Sequence, residues 1–127
     1  MSAQTRDEEE VLAALDNYNA AIAGRDVDGQ VAFFAESYSS GGMTKADLVT
    51  YLTEELEQGR DVVKRFVLDD AKVTIDEDIA IIDPATLRSP TGGGAFEIRM
   101  KREPDGVWRC ESLTGSRSGY EAAEHAR

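Results

Sequence analysis

The side chains best suited to catalysis are scarce in this chain. It has one histidine, His125, in a polar stretch near the end, and one cysteine, Cys110. A lone cysteine cannot close an intramolecular disulfide. A single imidazole set apart from the apolar segments suits neither a His-rich metal site nor a buried Ser-His-Asp triad. The expectation is no metal and no cofactor. Carboxylate and phenol chemistry remain. Asp83 precedes Pro84 inside a strand-like run, and a proline there calls for a bulge or an edge. Such a bulge would turn the Asp83 carboxylate inward, and the alternative is a turn-forming Asp-Pro pair. Tyr18 lies on an apolar helical stripe. It is either a core aromatic whose hydroxyl finds a polar partner or a donor into a pocket. Tyr18 and Asp83 are the candidate catalytic residues.

Two further clusters carry less. Asp69-Asp70 and Asp76-Glu77-Asp78 lack the spaced oxygens, glycine and later glutamate of a calcium loop, so they read as solvated turns. Thr91-Gly92-Gly93-Gly94 lacks the lysine and helix of a phosphate loop and reads as a flexible hairpin loop. The net charge of -11 repels phosphodiester backbones and anionic lipids, and Lys and Arg nowhere cluster with aromatics. Nucleic acid is therefore not an expected partner. No apolar run reaches the ~20 residues that span a bilayer. Met1 to Glu10 is polar and acidic, unlike a secretory leader, which gives a cytoplasmic expectation.

The elements that must position these residues change character near residue 60. Over 5–24, Val11, Leu15, Tyr18 and Ile22 fall on one helical face. Thr5 and Glu8 have capping-box spacing, and Gly24 is a natural stop. Asp26 can cap a second helix running to about Glu36, with Val27, Val31 and Phe34 on one face. Ser39 to Gly42 reads as a loop. Thr44 and Asp47 have capping-box spacing for a third helix, striped by Leu48, Leu52 and Leu56 and ended by Gly59. Beyond that, β-branched and aromatic residues predict strands near 62–76, 79–88, 94–103 and 107–115. Turns are expected at Asp76-Glu77-Asp78, Ser89 to Gly94 and Pro104-Asp105-Gly106. Three helices followed by an antiparallel sheet is an α+β order. One domain over 1–115 and a polar tail over 116–127, either a short helix or a frayed end, complete the expectation.

The stretch Tyr18-Asn19-Ala20-Ala21, Asp26-Val27-Asp28-Gly29 and Val31-Ala32-Phe33-Phe34-Ala35-Glu36 resembles the start of the nuclear-transport-factor-2-like superfamily. That superfamily includes ketosteroid isomerases and SnoaL-type polyketide cyclases. The resemblance implies a cone-shaped α+β barrel: a strongly bent sheet around the first helix, with a pocket at the open end. It also implies a homodimer through the outer face of the sheet. The Thr91–Gly94 loop would then lie where it can cover the cone mouth. In the isomerases a tyrosine on the first helix donates to the developing enolate oxygen, and Tyr18 has the matching spacing from the Asp-x-Asp-Gly turn. The isomerase base falls by counting on Gly42, and no carboxylate lies between Glu36 and Asp47. The second oxyanion donor falls near Glu97 or Ile98. One of three parts is kept and the base is absent, so steroid isomerisation is not expected.

Strand alternation puts Phe96, Ile98 and Met100 on one face and Glu97, Arg99 and Lys101 on the other. In the last strand it groups Trp108, Cys110 and Ser112 against Val107, Arg109, Glu111 and Leu113. The first set is expected to face the helices. Val107 and Leu113 on the charged outer face favour a covered dimer surface. The expected pocket residues are Tyr18, Phe34, Phe96, Ile98, Trp108 and Cys110, with Trp108 needing a partner for its indole N–H. The leading expectation is a homodimer binding a small apolar or carbonyl-containing molecule in the cone. The alternatives are a non-catalytic association domain and a metal-free acid-base lyase, isomerase or cyclase.

Overall fold

The computed structural model describes residues 3–59, 64–90 and 92–116. Helix α1 spans Ala3–Ala23, so Thr5 lies within it rather than capping it. Its stripe of Val11, Leu15, Tyr18 and Ile22 is buried, each such side chain stabilising by about 1.5–3 kcal/mol. The left-handed residue after the helix is Arg25 (φ 55), not Gly24. Asp26 caps α2 (Val27–Ala32), accepting from the Gly29 N–H at 3.0 Å. This helix stops short of Glu36 because the chain turns onto the sheet. The Ala35 N–H donates to the Cys110 carbonyl and the Cys110 N–H to the Phe33 carbonyl. Ser39 to Gly42 is no open loop. β1 (Ser39–Ser40) pairs with β2 (Met43–Thr44) across Gly41 and Gly42, both at positive φ, the conformation a two-residue hairpin turn demands. Thr44 and Asp47 form the capping box of α3 (Lys45–Glu57).

The sheet has five antiparallel strands: β3 (Arg65–Val67), β4 (Lys72–Asp76), β5 (Ile79–Ser89), β6 (Gly92–Arg102) and β7 (Trp108–Gly115). The path runs β3-β5-β6-β7, and β4 pairs with β5 beyond β3. The sheet is open, so the cone is not a closed barrel. The single strand expected over 62–76 is two, and residues 62–63 lie outside the described set. Val67 pairs with Thr86 and Lys72 with Asp83, so the break at Leu68–Ala71 faces the β5 irregularity at Asp83-Pro84. Gly92 to Gly94, expected in a loop, are paired in β6. Gly93 approaches so closely that a Cβ there would lie 1.8 Å from the Leu87 carbonyl oxygen.

A second irregularity corrects the face assignment of the last strand. Arg99 pairs with Ser112 and Met100 with Cys110, leaving Glu111 as the extra residue of a bulge. An extra residue reverses alternation beyond it. Leu113 thus pairs with Ile98 and packs on the core, while Ser112 turns outward with Arg99. The core between α1 and the sheet is one cluster that includes Leu15, Phe34, Ile82, Ile98, Met100 and Cys110.

Candidate ligand-binding site

Tyr18 occupies the centre of an aromatic chamber. It stacks on Phe33 at 4.4 Å between centroids and meets Phe34 edge-on at 5.6 Å and Phe66 at 6.0 Å. Phe96 extends the row through Phe66 at 6.3 Å. Burial pushes the Tyr18 hydroxyl far above the ordinary phenol value, and the nearby Cys110 and Tyr38 acids add to the shift. Burial likewise pushes the Cys110 thiol up to about 12, although a backbone hydrogen bond from Ser112 opposes the rise. The groups around Tyr18 are therefore neutral near pH 7, able to donate hydrogen bonds and unfit to take a proton. Ile98 and Cys110 are fully buried against this chamber, and Phe34 nearly so.

Trp108 stands apart from that row. Its indole N–H donates to Glu10 of α1 at 3.3 Å, and the Arg102 guanidinium lies 5.2 Å from its ring centre. Arg102 in turn pairs with Asp7 at 2.8 Å. Glu10 and Tyr18 are separated by about 12 Å along the helix axis at 1.5 Å per residue. The partner expected for the indole is thus a carboxylate that ties β7 to the start of α1. Asp83 sits half-buried at the β5 bulge, where its carboxylate accepts a hydrogen bond from the buried Ser116 hydroxyl.

A concavity lies beside the chamber on the side of Asn19 and Arg65. It holds about 570 Å³. Asn19, Ala20 and Ala23 of α1 form one wall, Lys64 and Arg65 the second, and Arg88, Ser89 and Pro90 the third. Asn19 fixes the width of its base. Its side-chain amide donates to the Phe66 carbonyl at 3.0 Å and accepts from the Phe66 N–H at 2.8 Å, clamping α1 to β3. Lys64 is partly buried, which holds its ammonium below the ordinary lysine value, and Glu55 of α3 offsets part of that shift. A smaller hollow of about 420 Å³ lies beyond Arg65, bounded by Asp16 and Asp69. Sequence reading missed this groove. Lys64-Arg65 was visible as an adjacent cationic pair, but only strand register brings Arg88 beside it.

Neither a protein-family model nor a curated protein matches the sequence. Solved structures do. An NTF2-like protein of unknown function from Pseudomonas putida KT2440 superposes with a TM-score of 0.67 at 17% identity, covering 86% of this chain and 84% of that one. A proposed dehydratase from the NTF2-like family of Streptomyces avermitilis gives 0.66 at 16% identity, over 87% and 95%. A proposed calcium/calmodulin-dependent protein kinase II association domain from Xanthomonas campestris gives 0.61 at 18% identity, over 83% and 83%. The chain has the NTF2-like fold. Gly42, the position that counting along the chain assigns to an isomerase base, is the second residue of the β1–β2 turn, at φ 83. Among the described residues no three His, Cys, Asp or Glu side chains gather as a metal site would require. No described helix is long and apolar enough to cross a membrane.

Proposed function

We propose that this NTF2-like chain binds a small, largely apolar molecule between α1 and the sheet, and that two copies pair through the outer sheet face. The observation that carries the reading is the groove of about 570 Å³ beside the Tyr18 chamber. Its size falls in the range of about 300–1,000 Å³ typical of small-molecule sites. Ala20, Ala23 and Pro90 offer it apolar walls. Tyr18, Phe34, Phe96, Ile98 and Cys110 pack in the core rather than in the lining of this groove, and Tyr18, next to Asn19 in the chain, is the assigned donor toward a ligand carbonyl. Trp108, its N–H held by Glu10, lies outside the groove and ties β7 to the start of α1. Pairing through the sheet is supported by Ile79 and Ile81, partly exposed on the face opposite Ala80 and Ile82.

A thermal-shift series with steroids, aromatic polyketide-like compounds and small carboxylates tests the reading. A ligand at 100 times its Kd that binds only the folded state adds about 2.7 kcal/mol, a shift of several degrees in Tm. Ala23→Trp, on an exposed position, is expected to fill the groove and abolish that shift while leaving the ligand-free Tm in place. No shift with any class, or an undiminished shift in A23W, overturns the proposal. The second reading is metal-free acid-base chemistry by Tyr18 and Asp83. It rests on the Asp83–Ser116 contact at the bulge and on the proposed dehydratase among the structural neighbours. Turnover that survives Asp83→Asn would dismiss it.

A further inference from the structure

The groove's charge is opposite to that of the chain. The protein carries 25 acidic and 14 basic side chains, yet the three charged residues lining the groove, Lys64, Arg65 and Arg88, are all cations. Arg65 and Arg88 are directly opposed across β3 and β5. Like charges in that relation destabilise a sheet unless something neutralises them. Elsewhere the fold supplies the partner: Arg99 pairs with Glu111, Arg102 with Asp7 and Asp78, and Arg109 with Glu103 and Asp105. Among the described residues neither Arg65 nor Arg88 has an ion pair. By alternation Lys64 falls on the same side of the strand as buried Phe66, toward α1, with the two arginines at the rim. Among the described residues, the carboxylates near these cations are Glu55 of α3, beside Lys64, and Asp16 and Asp69, which share the smaller hollow with Arg65. None of the three lines the groove itself.

We propose that the groove takes a small organic anion, an apolar body bearing one carboxylate, with the head group met by Lys64, Arg65 and Arg88. This deepens the binding reading and rests on it. An apolar body suits Ala20, Ala23 and Pro90, and a carboxylate satisfies cations that the fold leaves together. The net charge of -11 disfavours polyanions such as nucleic acid, so a compact ligand with a single charge fits better.

Calorimetry on the intact chain tests this with 4-phenylbutyrate, the matched neutral 4-phenylbutyramide, and inorganic phosphate. The acid is expected to bind roughly tenfold or more tighter than the amide, as charge-assisted bonds exceed neutral ones. Raised salt should narrow that gap. Lys64→Gln with Arg88→Gln should bring the acid down to the amide's affinity and leave the amide unchanged. Arg88→Gln alone, at an exposed rim position, should take part of the gap if the double variant folds poorly. Equal binding of acid and amide overturns the anionic preference and leaves the binding reading standing. Binding of phosphate as tight as that of the acid overturns the apolar body. Failure of all three probes while a steroid binds overturns the ligand class. Failure of these probes together with the whole thermal-shift series overturns both proposals.

Discussion

Cys110 and Tyr18 show how burial decides what a reactive-looking residue can do. A thiol raised to about 12 by desolvation is held neutral by the fold. Its contribution to stability is complete below the unfolded thiol value of about 8.5 and is lost as pH rises through about 12. Tyr18 acts with the same sign above its unfolded value of about 10. Unfolding free energy, measured by urea denaturation, should therefore fall from about pH 9 upward. Cys110→Ala should weaken that decline, and adding Tyr18→Phe should flatten it further. An identical slope in all three proteins would refute the burial account. Both residues were legible in the sequence as stripe and strand-face positions. Their chemistry was not, because a pKa depends on neighbours that only folding supplies.

At the scale of elements, two irregularities and one glycine set the sheet. The β5 irregularity at Asp83-Pro84 was expected from the proline. The β7 bulge at Glu111 was not, because no proline or glycine marks it, and it moves Leu113 from the outer face to the core. Gly93 joins β5 and β6 at a distance no side chain tolerates. Gly93→Ala should cost about 3 kcal/mol or prevent folding. Gly94→Ala is the matched control. Its Cβ would meet only Phe96 at 3.9 Å, so a loss below about 1 kcal/mol is expected in the same urea titration. Equal costs for the two would show that the close approach is not what fixes the hairpin.

The whole molecule raises the question of the outer sheet face. With Leu113 turned inward, Ile79, Ile81 and Val107 remain as apolar groups there, Val107 being 45% exposed. The proposed pairing then predicts a dimer at micromolar concentration by light scattering. Ile81→Lys should convert it to a monomer with unchanged circular dichroism. A wild-type monomer would remove the pairing, whereas the groove would stand, since it is built within one chain.

The sequence by itself determined the α+β order, the stripe of α1, the caps at Asp26 and Thr44 and the lack of a carboxylate at Gly42. Each of these is local: a period, a spacing or a residue type carries it. Tertiary structure alone decided the rest. It split the first long strand, turned Leu113 inward and satisfied Trp108 with Glu10. It also set Arg65 against Arg88 beside Lys64. Register and bulges depend on how distant segments share one core, and a shift of one residue exchanges the two faces of a strand. The candidate site lies where those long-range choices meet, and for that reason the sequence named its neighbour Tyr18 and not its cations.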